Sequence, residues 1–341
     1  MFGIFRYVLA LAVAFDHLWP FAGGNNIGNF AVFAFYMLSG YLMTLVLNEK
    51  YGFDLVGLTK YFVNRFFRIY PPLIFVGFLT LPLLWFIPVN DISPGMKWPA
   101  TAYDWFKNIT LFDIRTTDIR VVPVSWSLFV EVFYYIAIGL VFARRRWITI
   151  AWFAASLLYT GYMLYTGTAW YFRYFTIPAS SLPFSMGAIL YFYKDRISAP
   201  SWLLPVAASA LAFNYVYWHI VPPPGRFMTG FYLNLALTSV IIFALSKRKS
   251  GYYDQLLGDH AYAIFLCHIG LAVAVNALTG AAHGPMLFFA TLPFVLLYPF
   301  LSTYLIERNL KPLRDRIRPA SSPSPISQGR VFRRQRQGLR A

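Results

Sequence analysis

The chain has 341 residues, of which 58% are hydrophobic and only 12% charged, with a mean hydropathy of +0.54 and a formal net charge of +16. So apolar a composition excludes a soluble globular domain and fits a chain that crosses a bilayer many times. The single cysteine, Cys267, excludes an intrachain disulfide, and the excess of Lys and Arg reads as a topology signal, with no nucleic-acid partner expected.

Ten apolar segments are predicted as membrane spans, at about 3–22, 27–47, 67–88, 121–142, 147–166, 173–193, 202–221, 228–246, 259–280 and 286–306. The expected fold is therefore all-α and polytopic, with a membrane domain over 1–310 and a basic, disordered tail over 311–341. The first segment lacks a small-residue cleavage site and carries Asp16-His17, so it is read as a span and not as a secretory leader. With the N-terminus in the cytoplasm, all but six of the 29 Lys and Arg fall on the cytoplasmic side. The six are Lys97, Lys107, Arg115, Arg120, Arg173 and Arg226. That asymmetry predicts two cytoplasmic termini in the cell (inner or plasma) membrane. The tail is expected to touch anionic lipid headgroups.

In the first span, Arg6 and His17 are eleven residues apart, close to three helical turns, so both project from one face. At about 1.5 Å per residue the imidazole lies roughly 16 Å beyond the guanidinium, about half the hydrocarbon core. Such spacing suits a long anionic substrate, held at the membrane surface and reacted near the midplane. Asp16 points about 100° away from His17 and is not expected to orient it. In the second span, Ser39-Gly40 lies at mid-depth, where small residues permit close helix packing. Arg65 and Arg68, expected at the cytoplasmic start of the third span, neighbour each other on one helical face. Two guanidiniums so placed form a phosphate-sized clamp. The longest outside connection, about 89–120, carries Trp98, Trp105 and Phe106 and could lie along the interface or cover a site. Glu131 in the fourth span and His268 in the ninth are ionisable groups at mid-depth, costly there unless partnered. No zinc spacing, phosphate-cradling glycine loop or dinucleotide fingerprint occurs, and no metal is expected.

The order of these elements resembles the acyltransferase-3 family of integral-membrane O-acyltransferases, over roughly residues 4–310. The resemblance rests on the Arg6–His17 pair, on Phe35-Tyr36-Met37-Leu38-Ser39-Gly40-Tyr41, and on Arg65-Phe66-Phe67-Arg68-Ile69-Tyr70-Pro71. It rests also on Trp126-Ser127-Leu128-Phe129-Val130-Glu131-Val132-Phe133-Tyr134 and on Tyr262 through His268. It implies transfer of an acyl group, by family habit acetyl, from cytoplasmic acyl-CoA to a hydroxyl of a cell-surface or lipid-linked saccharide. Arg6, Arg65 and Arg68 would hold the phosphates of the acyl-CoA. His17 would act as general base or as a covalent acyl relay, with Glu131 as a candidate to orient or stabilise its imidazole and His268 assisting. The resemblance places Ser39, Trp126 and Tyr134 with the substrate, and membrane lipid and a surface glycan or glycolipid acceptor as partners. The competing reading from the residues alone is a transporter of an anionic or lipid-linked substrate, suggested by the proline-broken spans and midplane charges.

Overall fold

The computed structural model describes residues 1–20, 27–87, 91–196, 198–220 and 227–317. Among them, all regular structure is helical. The helices are α1 (Gly3–Leu18), α2 (Ile27–Val46), α3 (Leu55–Phe86), α4 (Ala102–Thr110), α5 (Ser125–Ala137), α6 (Arg146–Tyr165), α7 (Trp170–Tyr174), α8 (Ile177–Tyr193), α9 (Leu203–Ile220), α10 (Phe227–Ser246), α11 (Tyr252–Thr279), α12 (Pro285–Ser302) and α13 (Arg308–Ile317). Single π turns extend α2 over Leu47–Tyr51, α5 over Ile138–Phe142 and α12 over Thr303–Glu307. Eight described helical segments are long and apolar enough to cross a membrane, which makes this an all-α polytopic membrane protein. The other two expected spans are shorter: α1 has 16 residues, and the apolar part of α9 runs over Leu203–Trp218.

Two spans begin well before their apolar stretches. Asp54 caps α3 by accepting the amide of Gly57 at 3.1 Å, so the helix starts at Leu55 and not near residue 67. Arg65 and Arg68 therefore lie about 15 and 20 Å inside the helix, not at its start. Likewise α11 starts at Tyr252, seven residues before the expected 259, because its first turns carry Asp254, Gln255 and Asp259. Hydropathy marks the apolar part of a helix, whereas caps mark its ends. At the other end of the chain, α13 takes in the first residues of the expected tail. Residues 311–317 are helical, and Arg314 is buried and paired with Glu307 at 2.7 Å. The remainder of the expected disordered tail, 318–341, lies outside the described residues.

Glycines bring the central helices together. A Cβ on Gly187 of α8 would sit 1.8 Å from the carbonyl oxygen of Met37, and one on Gly40 of α2 would sit 2.1 Å from that of Phe184. The α2–α8 crossing is thus a backbone-to-backbone contact that only glycine admits, the small-residue packing that membranes favour. α1 lies against α11 by the same means, since a Cβ on Gly3 would meet the Asp254 carbonyl oxygen at 1.5 Å. Asp254 also accepts the amides of Gly3 at 2.8 Å and Ile4 at 3.0 Å and pairs with the N-terminal ammonium. A carboxylate on the free amides of a helix start both caps it and complements its dipole. These contacts fix the height of α1, and with it the positions of Arg6 and His17.

Candidate active site

Arg6 of α1 and Arg65 and Arg68 of α3 line one cavity of about 810 Å³, together with Ser39, Glu131 and Tyr262. The sequence-predicted cationic group is therefore assembled from two helices on one space. The buried Nε atoms of Arg6 and Arg65 have no hydrogen-bond partner among the described residues. Arg68 lies 3.9 Å from Asp259 and over the ring of Tyr262, at 5.9 Å from its centroid. Arg65 stands at 5.9 Å from the ring centroids of both Tyr61 and Tyr135. Three lining cations face one lining carboxylate, so the cavity is electropositive, and its orphaned guanidinium donors suit an anion rich in oxygens. Gly258 makes room for this group: a Cβ there would meet Nη2 of Arg6 at 2.6 Å.

Glu131 is the carboxylate in this cavity. Its Oε1 accepts a hydrogen bond from Ser39 Oγ at 2.8 Å and a second from the Tyr135 hydroxyl one turn on. Glu131, expected to orient the His17 imidazole, lines the arginine cavity, and the ring that meets His17 is that of His268. The physical reason is helical register: Glu131 faces α2 at the level of Ser39, on the arginine side, whereas His17 sits at the far end of α1. Tyr135 carries no signal in the sequence beyond its i+4 spacing from Glu131.

His17 lies in a second cavity of about 530 Å³, with Asp16, Asn29, Trp126 and Tyr174 among its lining. Its imidazole is accessible because it faces that space, while His268 is fully buried behind it. His17 Nδ1 and His268 Nε2 are 2.8 Å apart, with the ring planes within 5° of parallel. His268 Nδ1 is 3.1 Å from the carbonyl oxygen of Ile264. A carbonyl only accepts, so in neutral His268 the proton sits on Nδ1 and Nε2 carries the lone pair. That lone pair accepts the Nδ1 proton of His17, which leaves His17 Nε2 unprotonated. The chain Ile264–His268–His17 thereby sets the tautomer that a general base needs, the role a carboxylate fills in catalytic triads. Asp16 takes no part. Its Oδ1 accepts the amide of Ile27 at 3.0 Å and so holds the start of α2, and the lack of a side chain on Gly28 leaves room for it.

The two cavities share a wall, since Val32, Ser127 and Phe265 line both. A third space of about 720 Å³ shares Trp126 and Phe175 with the histidine chamber. Trp126 packs edge-on against Phe175 at 4.9 Å between centroids, so of the residues expected at the substrate it does stand on a cavity wall. Ser39 does so as well, with its hydroxyl engaged by Glu131. Tyr134 does not. Its hydroxyl donates to the Ile177 carbonyl at 2.7 Å and its ring stacks on Phe184 at 4.3 Å, so it joins α5 to α8. The sequence motif groups it with Glu131, but three residues along a helix turn it toward a different neighbour.

Sequence reasoning passed over Arg120 as one of the loop cations. It lies within electrostatic range of His17, and its Nε is buried without a partner. A Cβ on Gly95 would meet its Nη2 at 2.7 Å, so the connection between α3 and α5 cradles the guanidinium through a glycine. Burial lowers its pKa, partly offset by Asp118, yet an arginine so shifted keeps its charge. The same connection folds as the capped helix α4, whose last carbonyl accepts the hydroxyl of Tyr70 at 2.7 Å.

No functionally curated protein and no solved structure matches the chain significantly. The family described as an acyltransferase domain, acyltransferase-3, matches it over residues 2–308, nearly the whole length, and the chain belongs to that family.

Proposed function

We propose that this protein is a membrane O-acyltransferase that moves an acyl group, by family habit acetyl, from cytoplasmic acyl-CoA to a hydroxyl of a cell-surface or lipid-linked saccharide. The observation that carries the reading is the hydrogen-bonded chain from the Ile264 carbonyl through His268 to His17, which leaves His17 Nε2 as a proton acceptor beside the arginine cavity. In this reading the acyl-CoA phosphates sit among the guanidiniums of Arg6, Arg65 and Arg68, drawn by the unpartnered Nε donors of Arg6 and Arg65. The thioester extends toward the wall of Val32, Ser127 and Phe265. The acceptor hydroxyl reaches the histidine chamber past Trp126 and Phe175.

In direct transfer, His17 Nε2 takes the proton of the acceptor hydroxyl as its oxygen bonds to the thioester carbonyl carbon. The carbon–sulfur bond then breaks, and the imidazolium returns the proton to the departing thiolate. His268 stabilises the imidazolium by accepting its Nδ1 proton in a hydrogen bond, and the Arg120 charge favours the oxyanion that forms between the two events. The alternative, in which Nε2 itself accepts the acyl group before passing it on, uses the same atom and the same tautomer. The positive-inside distribution of charge supports this reading, in which both termini are cytoplasmic, the arginine cavity is the nearer to the cytoplasm and the acceptor enters from outside.

Sealed inside-out membrane vesicles supplied with acetyl-labelled acetyl-CoA on the cytoplasmic face test this. Label entering a glycan or lipid fraction with wild-type protein, and not with His17→Ala at matched expression, is the expected result. Label held on the protein selects the covalent relay. Equal labelling by the two proteins overturns the role of His17.

A further inference from the structure

Beside α1, on the side away from the arginine cavity, lies a fourth cavity, of about 1380 Å³, larger than the three above. Its walls come from the start of α1 (Ile4, Phe5, Val8), from α9 (Leu204, Leu211) and from the end of α10 (Leu245). No residue lines both this cavity and the arginine cavity or the histidine chamber. It is mostly apolar along its length, with the Tyr215 hydroxyl at its deep end, and its charged groups gather at the other end, where Arg248, Lys249 and Tyr252 form the rim.

Three features identify what such a groove fits. The first is depth. Along α9 it runs from Leu204 to Tyr215, eleven residues or roughly 16 Å, which is about one leaflet of a 30 Å hydrocarbon core. The second is charge. Arg248 and Lys249 are exposed, and neither has a carboxylate partner among the described residues, unlike Lys247, which reaches Asp195 at 3.5 Å. The acidic side chain at the rim, Asp254, is already occupied by the N-terminal ammonium, the amides of Gly3 and Ile4 and the Ser250 hydroxyl. The third is the aromatic level. Tyr252 and Tyr253 are each 74% exposed at the same end, as side chains that sit among headgroups are.

We propose that this groove binds one anionic glycerophospholipid of the surrounding leaflet. An acyl chain lies between α1 and α9, and the phosphate and headgroup charge meet Arg248 and Lys249. The lipid then forms the outer support of α1, the helix whose other faces carry Arg6 and His17. The proposal does not depend on the acyl-transfer reading, because the groove shares no lining with that site.

The test is lipid retention by the purified full-length protein, read by native mass spectrometry after exchange through mixed micelles holding equal amounts of phosphatidylglycerol and phosphatidylethanolamine. The wild type is expected to keep one phosphatidylglycerol in preference to phosphatidylethanolamine by about 25-fold, the product of about fivefold from each cation. Replacing both rim cations in Arg248→Gln/Lys249→Gln, an exposed pair whose loss leaves the packing alone, should abolish the preference. Ala208→Trp, which fills the groove from α9, should abolish retention of either lipid. Equal retention of the two lipids by the wild type, no retention at all, or an undiminished preference in the double Gln variant would each overturn the proposal. If Ala208→Trp fails to fold, the double Gln variant decides alone.

Discussion

The arginine cavity and the histidine chamber both draw on α1, α2, α5 and α11 and share a wall, yet they handle polarity in opposite ways. The first leaves charged donors without partners: Arg6 and Arg65 keep buried Nε atoms unpaired, and the one lining carboxylate spends its hydrogen bonds on Ser39 and Tyr135. In the second, the two imidazoles and a backbone carbonyl satisfy one another and leave a single lone pair over, on His17 Nε2. Unpaired cations are costly to hold and bind anions; a closed chain of neutral groups fixes one proton acceptor in place. In the proposed function this difference separates binding from chemistry, and each side can be broken independently.

The largest effect is expected on the chemical side. His17→Ala should lower the rate of acyl transfer by about 10³-fold, within the range of general acid–base catalysis, with KM for acyl-CoA little changed. Steady-state kinetics on purified protein check both. His268→Ala should cost less, about 10- to 100-fold, because His268 acts by holding the His17 tautomer. A merely structural role for His268 would leave the pH profile of the residual activity unmoved. The proposed role requires its acid limb to shift, since the imidazolium loses the acceptor that stabilises it.

On the binding side, Arg65→Gln or Arg68→Gln should raise KM for acyl-CoA by about tenfold or more while kcat changes less, as expected for loss of a charge-assisted hydrogen bond. Replacement by Lys should restore charge and only part of the affinity, because an ammonium cannot make the paired bonds of a guanidinium. Glu131→Gln sharpens the comparison further. If Glu131 belongs to the arginine cavity, the substitution shifts KM for the donor by a few-fold and leaves the pH profile unmoved. A displaced acid limb would return it to the His17 machinery.

These assignments show what a linear sequence can carry. Arg6 and His17 were legible because both lie on one helix, where eleven residues fix their relation without further information. The clustering of Arg65 and Arg68 was legible for the same reason, but their depth was not, because Asp54 starts the helix twelve residues before its apolar stretch. The pairing of His17 with His268 joins residues 251 apart in sequence and depends on how α1 meets α11, which Gly3, Gly258 and Asp254 decide. Tyr134 and Glu131 sit three residues apart in one motif and face different neighbours. Arg120 had no helical period to mark it, since a glycine in the preceding loop creates its place.

That loop supplies the smallest effect and the plainest control, since it lies away from both cavities' hydrogen bonds. Thr101 and Asp104 form a reciprocal cap on α4: the Asp104 amide reaches Thr101 Oγ1 at 3.1 Å, and the Thr101 amide reaches Asp104 Oδ2 at 2.9 Å. The hydroxyl of Thr101 also donates to that carboxylate at 2.8 Å, and these bonds hold its pKa below the ordinary carboxylate value. A lowered folded pKa means that the cap stabilises α4 above the unfolded value of about 3.9 and that this contribution is lost as pH falls through the folded one. Thr101→Ala should destabilise α4 by about 1 kcal/mol, seen as faster amide exchange over residues 102–110 near neutral pH. The difference between wild type and variant should narrow as the carboxylate protonates. Because α4 ends on the Tyr70 hydroxyl and the same connection holds Arg120, any loss of acyl transfer in this variant should appear in kcat through Arg120 and not in KM for the donor. A change confined to KM would mean that α4 answers to the arginine cavity instead, and the division between the two regions would have to be redrawn.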